Sequence, residues 1–169
     1  MAGPAVAREF SDSDNYFMRL ALKEARKGIG RTSPNPCVGA VIVKEAEIIA
    51  RGYHKKAGGP HAEIEALNKA GDRAIGATMY VTLEPCNHTG KTPPCSRAVA
   101  ASGINKVYIG MLDPNPLVNG SGAEFLRRAG IEVRHGLLED QCRKLNQSFL
   151  TYISKGRPWV VLKAGLTLD

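Results

Sequence analysis

Residues 61–71 read HAEIEALNKAG, and the rest of the chain is organised by how this stretch meets Pro85-Cys86 and Pro94-Cys95. One histidine and two cysteines make three soft ligands, and three protein ligands on a tetrahedral zinc leave the fourth position to water. That is the count of a catalytic site. A structural site asks for four ligands, and the two remaining cysteines, Cys37 and Cys142, lie outside the cluster. Glu63 follows the histidine by two residues. A hard carboxylate beside two thiolates is better suited to moving protons than to ligating. The expectation is a zinc-activated water with Glu63 as its proton-transfer partner.

Ile64, Ala66, Leu67 and Ala70 mark a short helix that Gly71 ends, and Gly58-Gly59-Pro60 breaks the chain before it. Positions i and i+2 of a helix point roughly 200° apart, so His61 and Glu63 converge only if the helix meets the ion end-on. Upstream, Val38–Val43 and Ile48–His54 predict two strands of a hairpin turning at Lys44–Glu47. Before them a helix is predicted over residues 14–27, with Ser13 or Asp14 as N-cap and Gly28 as stop. Thr32-Ser33-Pro34-Asn35-Pro36 then delivers Asn35 in a loop stiffened by two prolines.

Downstream, Ala77–Leu83 predicts a third strand that hands over to Glu84-Pro85-Cys86 and the polar loop Asn87–Thr92. Pro94-Cys95 opens a helix through Ala101, whose dipole favours a thiolate at Cys95. Asn105–Gly110 is the fourth strand, and Asp113-Pro114-Asn115-Pro116 repeats the Pro-x-Pro device. A helix over Gly120–Gly130, a strand over Ile131–Arg134 and one long helix over Leu137–Ile153 complete the pattern. This alternation predicts an α/β fold, a three-layer α/β/α domain around a central mixed sheet of about five strands.

The length of 169 residues suits one domain, and no apolar run has the length of a membrane span. Residues 1–12 lack the apolar core of a secretory signal and the Arg/Ser richness of an organelle-targeting peptide, so a cytoplasmic setting is expected. In that setting the four cysteines read as metal ligands or free thiols rather than disulfides. The net charge of +7 favours an anionic partner. Basic residues are scattered and few aromatics accompany them, which favours a phosphate-bearing small molecule over nucleic acid.

H-A-E followed by P-C and a second cysteine resembles the cytidine-deaminase-like superfamily, in which two residues usually separate the cysteines. Here eight do, in P-C-N-H-T-G-K-T-P-P-C. With T-S-P-N-P-C-V-G-A-V-I-V at 32–43 and D-P-N-P at 113–116, the chain resembles the deaminase domain of the bifunctional riboflavin-biosynthesis deaminase/reductase, diaminohydroxyphosphoribosylaminopyrimidine deaminase. The resemblance implies hydrolytic deamination of 2,5-diamino-6-ribosylamino-4(3H)-pyrimidinone 5′-phosphate to the 5-amino-uracil counterpart. It implies one zinc per chain on His61, Cys86 and Cys95, with Glu63 catalytic. Asn35, His54, His88, Lys91 and Asn115 are implied to bind substrate, and assembly into a homo-oligomer is implied as well.

Residues 158–169, PWVVLKAGLTLD, resemble the first strand of the family's reductase domain. The expected division is therefore a deaminase domain at 1–155 and the truncated start of a reductase at 156–169, with no NADPH site expected in this chain. Two other readings stay open at this point. One is a nucleotide, nucleoside or guanine deaminase of the same superfamily, against which the long cysteine loop and Lys91 argue. The other is a nucleic-acid-binding or editing module.

Overall fold

The computed structural model describes residues 10–88, 93–115 and 120–165. Helix α1 (Asp12–Arg26) leads into the hairpin of β1 (Gly39–Lys44) and β2 (Glu47–Tyr53). Helix α2 (Ala62–Ala70), a 3-10 turn, β3 (Thr78–Leu83), α3 (Cys95–Ala101) and β4 (Lys106–Met111) follow. The remainder is α4 (Ser121–Arg128), β5 (Glu132–His135), α5 (Glu139–Leu145) and α6 (Gln147–Lys155). The sheet order is β2-β1-β3-β4-β5, antiparallel across β2-β1-β3 and parallel across β3-β4-β5. This is the expected mixed five-stranded sheet. A bulge after Ile42 shifts the β1–β2 register, so Ile42 faces Ala50 while Val43 faces Ile48.

Helices cover both faces. α1 lies on β1 and β3, with α5 beside it on β4; α2 lies on β1 and β2, and α3 links it to α4, which packs on β5. The central strands are buried on both sides and read as apolar runs for that reason. Met79, Val81, Val107 and Ile109 are all fully buried, each such side chain contributing roughly 1.5–3 kcal/mol by leaving water. The alternate residues Tyr80 and Tyr108 are partners in the parallel ladder and stack with centroids 4.9 Å apart.

Tyr80 ties α1 to the sheet: its hydroxyl donates to Asp14 Oδ1 at 2.8 Å. The N-cap of α1 is Ser11, not the predicted Ser13 or Asp14; Asp14 is its N3 partner in a reciprocal capping box. Four good cap formers stand in a row here, Ser11 to Asp14, and the bond to Tyr80 selects the register that places Asp14 over the sheet.

Two further expectations are corrected. The predicted single helix over Leu137–Ile153 is two helices, broken at Asn146 with φ −104° and ψ 22°. Asn146 turns its amide to the backbone of Cys37 instead of continuing the helix: Oδ1 accepts from Cys37 N at 2.7 Å and Nδ2 donates to Cys37 O at 3.0 Å. Residues 158–165, expected to run as a strand, form no regular element and are exposed. Among the described residues, no helix is long and apolar enough to cross a membrane.

Candidate active site

The carboxyl end of β3 and the starts of α2 and α3 meet at one place. His61 is the N-cap of α2, with extended backbone (φ −74°, ψ 164°) and no capping bond from its ring. It therefore lies outside the helical turn, and the 200° separation expected within a helix does not apply. Cys86 follows β3 by three residues and Cys95 is the first residue of α3. His61 Nδ1 lies 3.2 Å from Cys95 Sγ and 3.6 Å from Cys86 Sγ. All three ligand atoms lie within 4.8 Å of one another.

These distances fit a tetrahedral zinc. With Zn–S about 2.3 Å and Zn–N about 2.0–2.1 Å, neighbouring N and S corners stand about 3.6 Å apart. A three-ligand set would leave one position for water on such an ion. The starts of α2 and α3 both face the sulfurs, so their positive dipole ends support thiolate charge. The hydrogen bond from the Cys95 thiol, working against burial and helped by His61 and the Cys95 amide, lowers Cys86 to about 4. The same bond and burial push Cys95 up. His61 is raised, chiefly by its hydrogen bond to Cys86. Both sulfurs ionise when they ligate a divalent cation.

Glu63, the second residue of α2, is 3% exposed. Burial pushes its carboxyl up to about 7 although His61 pulls it down. A carboxyl poised there exchanges protons near neutrality. It lines a cleft of about 230 Å³ together with His61, Cys86, Asn35, His54, His88 and Asn115. Six residues singled out in the sequence besides Cys95 thus share one cavity with Glu63. Lys91 lies outside the described residues.

His54 is buried, and both its ring nitrogens are engaged within the protein. Nδ1 is 3.0 Å from the Pro60 carbonyl, so Nδ1 donates and Nε2 accepts from Asn35 Nδ2 at 3.1 Å. Burial lowers the pKa of His54, which keeps this neutral tautomer. The ring also packs edge-on against His61 with centroids 5.3 Å apart. His54 thus fixes the amide of Asn35, and Asn35 Oδ1 is the atom this arrangement leaves for the cleft.

The cleft also contains residues not singled out from sequence. Asp113, whose carboxyl burial pushes up, accepts from Asn115 N at 2.9 Å. Its place in Asp-Pro-Asn-Pro was the available signal. Phe149 and Ile153 of α6 close the cleft with an i, i+4 apolar pair that the sequence shows only as ordinary helix periodicity. Glu84 lines it too, and nothing in its sequence context distinguished it. A larger cavity of about 490 Å³ lies between the 32–37 loop and α6. It shares Asn35, Pro36 and Phe149 with the cleft but holds none of the three ligand residues and not Glu63.

A His/Cys/Cys cluster at two helix starts beside a buried carboxylate, on a five-stranded mixed sheet, defines a zinc-binding deaminase domain. The chain belongs to the cytidine and deoxycytidylate deaminase zinc-binding region family, whose model matches residues 11–111. Within that family it is similar to RibD, the riboflavin biosynthesis protein. The Aquifex aeolicus protein is 56% identical over 92% of this chain and 44% of its own length. RibD of Acinetobacter baumannii superposes with a TM-score of 0.85 at 52% identity, over 87% of this chain and 41% of that one. The Thermotoga maritima diaminohydroxyphosphoribosylaminopyrimidine deaminase/5-amino-6-(5-phosphoribosylamino)uracil reductase gives 0.83 at 51%, over 87% and 43%. The chain spans less than half the length of these relatives.

Proposed function

We propose that this domain hydrolytically deaminates 2,5-diamino-6-ribosylamino-4(3H)-pyrimidinone 5′-phosphate, with His61, Cys86 and Cys95 holding one zinc and Glu63 moving protons. The observation that carries the reading is buried Glu63 sharing a cleft with His61 and Cys86, whose ligand atoms cluster with that of Cys95, and with two asparagines on proline-stiffened loops. The activity named for the Thermotoga relative is the same reaction. When bound, zinc supplies Lewis acidity that brings a water's pKa toward neutrality.

The chain's own residues do the rest. Two thiolates moderate the metal's charge, so a base is needed beside it, and Glu63 is in place to take the proton. The same carboxyl delivers that proton to the pyrimidine ring nitrogen, then takes the proton of the hydroxyl newly added to the ring carbon and passes it to the departing amine, which leaves as ammonia. Asn35 Oδ1, aimed by His54, accepts from an N–H on the pyrimidine edge, and Asn115 reads the edge from the loop after β4. His88 and Lys91, on the loop between the two cysteines, bind the ribose phosphate, Lys91 as a point charge.

The exposed run Trp159, Val160, Val161, Leu162 supports reading 156–169 as the opening of a separate unit. The sheet ends in the edge strands β2 and β5, and an edge strand can pair with a second copy, which supports self-association. Parallel assays with the diaminopyrimidine phosphate and with deoxycytidylate test the substrate assignment. Turnover of the first alone is expected, and turnover of the second alone would overturn it.

A further inference from the structure

The carboxylate of Glu84 sits at the end of β3, two residues before Cys86, and is 3% exposed. Four backbone amides converge on it. Oε1 accepts from Gly122 N at 2.9 Å and Ala123 N at 3.0 Å, while Oε2 accepts from Gly120 N at 2.9 Å and Asp113 N at 3.1 Å. Every donor lies on the segment that carries Asp113 and Asn115 and opens α4. The first-turn amides of a helix have no intrahelical acceptor, so one side chain here caps α4 from outside the helix while also holding the loop after β4.

The seam is tight from the other side as well. A Cβ on Gly122 would collide with the Pro85 carbonyl oxygen, so only glycine lets α4 come this close to the Glu84-Pro85-Cys86 turn. Asn87 Nδ2 donates to Ser121 O at 3.3 Å, and Ser96 Oγ to Asn87 Oδ1 at 2.8 Å, which continues the connection to α3 next to Cys95.

We propose that Glu84 is a positioning residue that makes one rigid piece of the Cys86 turn, the Asp113–Asn115 loop and the start of α4. It thereby sets how firmly the metal ligand and the substrate-reading asparagine are placed relative to each other. Glutamate is required because four donors meet two oxygens, and a glutamine would turn its own N–H groups against two of them. The inference rests on the deaminase reading for its kinetic consequence, not for its structural one.

The experiment compares zinc-loaded wild type with Glu84→Gln. KM for the diaminopyrimidine phosphate should rise about tenfold and zinc should pass to a colorimetric chelator about tenfold faster, the size usual for losing a group that supports a metal ligand. Because the four hydrogen bonds to Glu84 come from residues 113–123 and not from His61 or Glu63, kcat should stay within about threefold. A folded variant with wild-type KM and wild-type zinc release overturns the proposal, as does a loss confined to kcat. Hydrogen exchange on the wild type decides the matter even where the variant does not fold. The amides of Asp113, Gly120, Gly122 and Ala123 should exchange as slowly as those of β4, and exchange at open-loop rates overturns the proposal. Absence of turnover by wild type would defeat the deaminase reading, while zinc release and amide exchange would still test the Glu84 clasp.

Discussion

The two walls of the cleft are built by different means. The chemical wall, His61, Glu63, Cys86 and Cys95, consists of motif residues set directly on the starts of α2 and α3 and the turn after β3. The proposed recognition wall consists of Asn35 and Asn115, which line the cleft on loops without regular structure. Those loops are held by side chains far away in sequence: Asn146 grips Cys37 across 109 positions, and Glu84 grips Gly120 across 36. Reactivity is thus fixed locally and recognition is fixed by tertiary contacts. Changes to the first wall should act on kcat, and changes to the second on KM.

The largest expected effect comes from the chemical wall. Glu63→Gln should keep its zinc, measured by metal analysis, and lose roughly 10²–10⁴-fold in kcat with little change in KM. A zinc-loaded variant with near-normal turnover would show that proton transfer does not depend on this carboxyl. Next is Asn146→Ala, which leaves the Cys37 N–H and C=O without the partners they have at 2.7 and 3.0 Å. A cost of about 1–2 kcal/mol in denaturant unfolding is expected for such half-buried groups, together with a raised KM. A KM unchanged in the folded variant would separate this clasp from recognition.

Asn35→Ala removes a single substrate hydrogen bond, so KM should rise about three- to tenfold while kcat holds. An equal fall in kcat would move Asn35 to the chemical wall. Smallest is Tyr80→Phe, remote from both walls, which removes the 2.8 Å bond to Asp14. It should cost about 1 kcal/mol and leave both kinetic constants alone. Burial raises the pKa of Asp14, but the hydrogen bonds from Ser11 and Tyr80 outweigh it, so the carboxyl lies below its ordinary 3.8. A depressed carboxyl contributes its stability above the unfolded value and loses it as pH falls through the folded one. The Tm gap between wild type and Tyr80→Phe should therefore be constant from neutral pH down to about 4 and close below that.

The same contrast governs what the sequence made legible. That His61, Cys86 and Cys95 cluster beside Glu63 at the start of α2 could be reasoned out because zinc chemistry demands particular residue types at a site where water must also fit. The alternation of elements gave the three layers and the five strands. What escaped was held by backbone partners, which carry no sequence signature. Glu84 looks like any strand-end glutamate until its four amide donors are seen. Asn146 breaks the last helix through contacts with Cys37, whereas asparagine propensity alone is only mildly unfavourable in a helix. His54 was legible as a site residue through the family resemblance. Its use of both ring nitrogens on Pro60 and Asn35 depends on where the 54–60 turn folds back.

The central claim is that one zinc, held by His61, Cys86 and Cys95, and Glu63 together deaminate a phosphorylated diaminopyrimidine. The most direct measurement is ammonia released by the zinc-quantified protein from 2,5-diamino-6-ribosylamino-4(3H)-pyrimidinone 5′-phosphate, before and after chelation and zinc restoration. One ammonia per 5-amino-uracil product, loss of release on chelation, and recovery with zinc are expected. Release that persists in the fully chelated protein, or none from a zinc-loaded one, would contradict it.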